Sequence, residues 1–257
     1  HGDMVGENGI LVIPSVNNMS MDFGKRFWIS DDTDLNRLFP GNPSGESGSR
    51  VAYAIMETTR GYRYGIHLPS FYLGGTFMPH IRLLDPEHGS TSLANLFGLP
   101  YVIEAKSRPF DRTTLHNNWQ RNGTEAFSLY TGMTGKIDDE LATQAVSSIL
   151  RFLTRMGIIR YYSHSGYIAS VLKESDLEPI MTEAAGIFIR KAECGQEVSR
   201  GDVLAQIMKA DSGDYFGSYS TNRRYHFLRR DKACCLFKSF GISDNQENSS
   251  VKNLKIF

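Results

Sequence analysis

Asp31-Asp32-Thr33-Asp34-Leu35-Asn36-Arg37-Leu38-Phe39-Pro40-Gly41, with Arg26 a little upstream, sets carboxylates, an amide and a guanidinium in one polar segment that runs straight into Phe-Pro-Gly. Such a segment is a poor core element. Phe39 and Pro40 can nevertheless anchor it, so that Asn36 and Arg37 stay in one place. Held that way, the planar fork of guanidinium donors and the amide beside it can grip a carboxylate or a carbonyl oxygen. The plainer alternative on the same residues is a capped, salt-bridged surface turn, which needs no ligand.

Working outward, Gly9-Ile-Leu-Val-Ile-Pro-Ser-Val-Asn17 is a short β-branched run closed by Pro and Asn. It predicts a buried strand that delivers the polar loop at its carboxyl end, where open α/β sheets place their ligands. On the other side, Val51, Ala54, Ile55 and Thr58 recur at helical spacing within residues 48–60, and a second short strand over 62–67 ends in His67. Further on, the pattern predicts a short helix over 93–97, a strand over 98–104, a helix over 112–121 with Trp119 inward, and a strand over 125–132. Asp138 is a fair N-cap for the clearest helix, in which Leu141, Ala145, Ile149 (or Val146), Leu150 and Leu153 share a face up to Met156. This alternation predicts an α/β fold, a mostly parallel mixed sheet flanked by helices, over residues 1–162. From 163 to 257 the texture changes to short strands at 166–172, 186–191 and 203–207, separated by Gly-containing turns. They predict a smaller C-terminal β-rich, barrel-like domain, with a polar disordered tail over 243–250.

Composition narrows the partners. The 257 residues are 40% hydrophobic and 11% aromatic, and 28 basic side chains balance 28 acidic ones. No global field therefore selects nucleic acid or an anionic membrane, and small polar ligands remain open. A homo-oligomer stays open. Cys194, Cys234 and Cys235 are too few and too badly spaced for a disulfide framework or zinc finger, which suits a reducing, cytoplasmic setting. No run of eighteen apolar residues occurs.

Asp34-Leu-Asn-Arg-Leu-Phe-Pro-Gly41, preceded by Arg26 and Ile13-Pro-Ser-Val-Asn17 and followed by a strand-terminal His67, resembles the succinylglutamate desuccinylase/aspartoacylase family, a branch of the zinc carboxypeptidase clan. The resemblance continues through Leu96-Phe-Gly-Leu-Pro100 and the strand at 127–132. It ends in Gly195-Gln-Glu-Val-Ser-Arg-Gly-Asp-Val-Leu204, similar to the family's β-rich terminal domain. It implies a zinc-carboxypeptidase-like hydrolase fold carrying Zn2+ on a His-x-x-Glu pair and a later histidine. The implied activity is a deacylase or amidohydrolase cleaving the amide bond of a small N-acyl amino acid, or a peptide-like substrate, bearing a carboxylate. The alternative is a catalytically impaired relative that binds a carboxylate ligand or a protein partner through the same cleft.

Carried onto this chain, the resemblance implies His67 and His1 as metal ligands. Arg26 would stabilise the carbonyl oxyanion, and Arg26, Asn36 and Arg37 would bind substrate. The chain departs from the family pattern at three places. His1-Gly2-Asp3 is followed by Met4, whose thioether is a poor zinc ligand where the family has glutamate. Gly65 stands where the family has an acid, two residues before the histidine. Tyr130 takes the place of the glutamate base, leaving Tyr130, Glu125 and Glu104 as candidates for proton transfer. His80, His88, His116, His164 and His226 show no ligand spacing and receive no role. A biotinyl or lipoyl carrier is rejected, because no Met-Lys-Met-like turn is present.

Overall fold

The structure is a computed structural model that describes residues 3–70, 76–86, 90–133, 138–177, 180, 185–210 and 212–219. His1, His88, His226, Cys234, Cys235 and the polar tail lie outside the described residues. In chain order the elements are β1 (Asp3–Met4), α1 (Asn18–Asp22), α2 (Ser47–Thr58), β2 (Tyr64–His67), β3 (Thr76–Leu84), α3 (Ser90–Asn95), β4 (Tyr101–Ala105), α4 (Leu115–Arg121), β5 (Glu125–Met133), α5 (Asp139–Arg155), β6 (Ile159–Arg160), β7 (Ser170–Lys173), β8 (Ile187–Arg190), β9 (Val203–Met208) and β10 (Tyr215–Tyr219). Strands form a five-stranded sheet in the order β2-β5-β3-β4-β7, a three-stranded sheet β10-β9-β8 and a β1-β6 pair.

Two expectations are corrected. Residues 9–17 form no strand, and Ile10, Leu11, Val12 and Ile13 are exposed, Val12 by 72%. The short β1 before them pairs with β6 rather than with this run, and among the described residues no strand pairs with residues 9–17. Apolar β-branched residues favour a strand only where a neighbour accepts their backbone groups. The second correction concerns Ser170–Lys173, expected among the late antiparallel strands. It pairs in parallel with β4, Tyr101 opposite Ser170 and Glu104 opposite Lys173, and so completes the main sheet.

The chain divides into two compact units, one of His1–Pro69, Ile81–Leu129 and Val146–Glu174, the other of Ser70–His80, Tyr130–Ala145 and Ser175–Phe257. In the first, the polar loop is held from below by an apolar cluster of Phe39, Ala52, Ile55, Met56, Leu115, Trp119 and Ala126, with Val16, Leu35, Leu38 and Val51 against it. Phe39 is therefore an anchor, only 4% exposed. Gly41 closes the loop with φ +86°, and a Cβ there would run into the Tyr53 backbone of α2. Phe39→Ala is expected to cost about 3 kcal/mol in urea unfolding, by leaving a cavity beneath the loop.

The β2-β5 pair is parallel and in register, Gly65 opposite Ala126, Ile66 opposite Phe127 and His67 opposite Ser128. Residues in register point to the same side and successive residues to opposite sides. Gly65, His67, Ala126 and Ser128 thus share one face, while Tyr64, Ile66 and Phe127 share the other. The second face meets Phe152 of α5, whose ring lies 5.6 Å from Tyr64, 5.3 Å from Phe127 and 4.3 Å from Phe97. The first face meets α4, since a Cβ on Gly65 would lie 2.5 Å from the Trp119 ring. Both faces are covered, as parallel pairs require.

In the second unit, β9 runs antiparallel to β8 and β10, and Ala192 and Leu204 pack with Ile180, Phe188 and Val198. Asp138 Oδ1 accepts hydrogen bonds from the backbone N–H groups of Glu140 and Leu141, both at 3.1 Å, as expected of an N-cap. Asp138→Ala is expected to lower the midpoint of thermal unfolding, for a loss of about 1 kcal/mol.

Candidate active site

The polar loop is a stack of local caps. Asp31 Oδ1 accepts from Thr33 N at 3.0 Å and from Thr33 Oγ1 at 2.7 Å. Asp34 Oδ1 accepts from Asn36 N at 3.0 Å, capping the 3-10 turn Leu35–Arg37. Arg26 reaches this turn from upstream, its Nη2 3.6 Å from Asp34 Oδ2. Locally, then, the segment is the capped and salt-bridged turn that its composition allows.

Its long-range contacts give it a fixed address. Asn36 Oδ1 accepts from Leu115 N at 3.1 Å, so the amide caps the first turn of α4, and its NH2 donors face away from that bond. Arg37 Nη1 donates to the Phe110 carbonyl at 2.9 Å and lies 3.6 Å from Asp111 Oδ1. Its guanidinium also sits 5.0 Å from the centre of the Phe110 ring. Both side chains are held by partners 70 or more residues away in sequence, which spacing along the chain cannot reveal.

α4 brings a further residue to the end of β2. His116, one residue after the Asn36 contact, is 3% exposed, and its Nδ1 lies 2.8 Å from Ser128 Oγ. Ser128 is the register partner of His67, so His116 reaches the strand residue that pairs with His67, on the face of the β2-β5 pair that the two share. His116 Nε2 is buried without a hydrogen-bond partner. Burial pushes the His67 imidazole down to about 4, opposed by the nearby Asp34 carboxylate. Burial, then the His67 and Arg82 charges, push His116 down to about 3. Both rings are neutral near pH 7, the form that can offer a lone pair. Arg82 itself is paired, its Nη2 2.8 Å from Glu174 Oε1, which also takes Arg108 Nη2 at 2.9 Å.

His116 received no role from its sequence spacing. A signal was present, however, because His116 and the inward Trp119 are three residues apart and so share a face of the helix. The other candidates are placed as follows. Glu125 begins β5 opposite Tyr64, on the alternate face and three residues, about 10 Å, from Ser128 along the strand; it is not brought to His67. Glu104 accepts from Thr91 Oγ1 at 2.6 Å. Tyr130, in the second unit, stacks on the His80 ring at 5.0 Å and 10°, while His80 Nδ1 lies 2.8 Å from the Met78 carbonyl oxygen. His1 lies outside the described residues.

No family model matches the sequence, and no curated protein matches it. Solved structures do. A succinylglutamate desuccinylase/aspartoacylase from Rhodobacter sphaeroides superposes with a TM-score of 0.73 at 16% identity, over 95% of this chain and 73% of that one. The chain has the succinylglutamate desuccinylase/aspartoacylase fold. The ectoine utilization protein EutE (DoeB) from Ruegeria pomeroyi, in a product-bound structure, is similar with a TM-score of 0.72 at 19% identity, over 89% of this chain and 71% of that one. An aspartoacylase family protein from Mesorhizobium loti gives 0.71 at 17% identity, over 95% and 73%.

A catalytic zinc ion commonly takes three protein ligands and keeps one open position. Among the described residues, no three His, Cys, Asp or Glu side chains come together to hold a metal. Those that do approach the end of β2 fit part of such a set: two neutral imidazoles, one with a buried nitrogen that has no partner. No helix of the described residues is long and apolar enough to cross a membrane.

Proposed function

We propose that the protein is a zinc-dependent hydrolase, a deacylase or amidohydrolase that cleaves the amide bond of a small N-acyl amino acid, or a peptide-like substrate, bearing a carboxylate. The observation that carries this reading is the tie between Asn36 Oδ1 and Leu115 N, which sets the Asn-Arg loop against the helix that also covers His67. His67 and His1 would hold the metal, which when bound polarises a carbonyl and makes water a nucleophile near neutral pH. The remaining steps belong to side chains of this chain. Asn36 has its acceptor engaged and its amide donors left for a carbonyl or carboxylate oxygen. Arg37, fixed by Phe110 and Asp111, supplies positive charge for the substrate carboxylate. Arg26 is assigned to the oxyanion, where a preorganised donor acts at full strength because it needs no reorganisation. Tyr130, in the place of the family's glutamate, is assigned proton donation rather than base catalysis, since a phenol ionises near pH 10.

Release of free amino acid from a panel of N-acetyl, N-succinyl and longer N-acyl amino acids tests the reading. Turnover is expected, and Arg37→Ala is expected to lower kcat/KM by about 100-fold, mainly through KM. Absence of turnover by the zinc-loaded chain on every member, or an Arg37→Ala variant as active as the parent, would overturn it.

A further inference from the structure

His116 is a buried ring with one nitrogen engaged and the other not. A buried polar atom without a partner costs about 1–3 kcal/mol, so a histidine serving only to fill space beneath α4 is a poor choice for this site. The engaged nitrogen is informative. Where a histidine binds a metal through one ring nitrogen, the other typically donates its N–H to an oxygen, which fixes the tautomer and the ring plane. Ser128 Oγ, 2.8 Å from Nδ1, is such an oxygen. With the proton on Nδ1, Nε2 carries the lone pair and is the atom left unpartnered. The second imidazole is the register neighbour of that same serine. The position of α4 is not adjustable, because Trp119 fills the space over Gly65 and donates its indole N–H to Thr59 Oγ1 at 2.9 Å. Arg82, whose charge reaches His116, is paired with Glu174.

We propose that His116 and His67 together form a divalent transition-metal site, with His116 Nε2 as a ligand and Ser128 as the residue that positions it. The inference rests on the metal reading of His67 and adds a ligand from a different element, outside the family's motif. Two imidazoles favour Zn2+, Cu2+, Ni2+ or Co2+ over Mg2+ or Ca2+, which prefer oxygen donors.

The test titrates Zn2+ into the metal-free full chain by calorimetry and follows Co2+ by its visible absorption, alongside His67→Gln, His116→Gln and Ser128→Ala, with circular dichroism to verify folding. One Zn2+ per chain is expected. Each histidine variant should weaken binding at least tenfold, Ser128→Ala about tenfold, and Mg2+ should not compete. Should His116→Gln fail to fold, Ser128→Ala and the Co2+ spectrum decide. Wild-type affinity in His116→Gln and Ser128→Ala, with loss only in His67→Gln, would overturn this inference and leave the His67 zinc reading standing. A wild-type chain that takes up no Zn2+ would overturn both. Zinc held through His116 by a chain that hydrolyses no N-acyl amino acid would keep the site and remove the hydrolase.

Discussion

Gly65→Asp is expected to destabilise the protein by more than about 3 kcal/mol, although it installs the acid that the family resemblance implies two residues before the histidine. The cause is steric first. A Cβ on Gly65 already lies 2.5 Å from the Trp119 ring, and Trp119 is 8% exposed within the cluster that carries the loop. Any side chain at 65 must move α4 or the strand. The carboxylate would then be buried as well, which adds a desolvation cost. Urea unfolding of Gly65→Asp, Trp119→Ala and the double variant provides the check. The double variant should be less destabilised than the sum of the singles by at least about 1 kcal/mol, because removing the indole makes room. Strict additivity would mean that the collision is not the cause.

Phe152→Ala is expected to cost about 3–5 kcal/mol. The ring is fully buried and stacks on Phe97 at 4.3 Å and 15° while meeting Phe127 at 5.3 Å. It is the support on the far side of the two strands whose near side carries His67 and Ser128. Loss of the ring leaves a cavity lined by Tyr64, Phe97 and Phe127, so the expected readout is both a lower urea midpoint and a less fixed β2-β5 pair. Hydrogen exchange at the amides of Ile66 and Phe127 should accelerate along with global unfolding. Phe152→Leu, which refills part of the space, should recover more than half of the loss.

Much of the fold is legible along the chain because it depends on local periodicity. The helix after Asp138 has its cap where the sequence places it, but of the expected face only Ala145 is fully buried; Ser148 and Phe152 are the other buried residues, while Leu141, Ile149, Leu150 and Leu153 are half-buried and Val146 is exposed at 57%. Trp119 is inward as its helix requires. Where pairing partners decide, the pattern fails. The run Ile10–Ile13 has strand composition and no pairing strand among the described residues, while Ser170–Lys173 has the same texture as the late strands yet finds β4. A β-branched run states that it can pair, not with what.

The candidate site divides along the same line. The sequence alone supplies its candidate residues: the Asp34-Leu-Asn-Arg37 loop with Arg26, a strand-terminal His67, and Tyr130. Only the tertiary structure decides who stands beside whom. It ties Asn36 to the start of α4, Arg37 to Phe110 and Asp111, and His116 to Ser128. It also shows why Gly65 is glycine, since an indole from a helix 54 residues later occupies its side-chain space. The physical reason is common to all of these. Side-chain type and short-range spacing are written into the chain, whereas hydrogen bonds and packing between distant segments exist only once the backbone has closed around them.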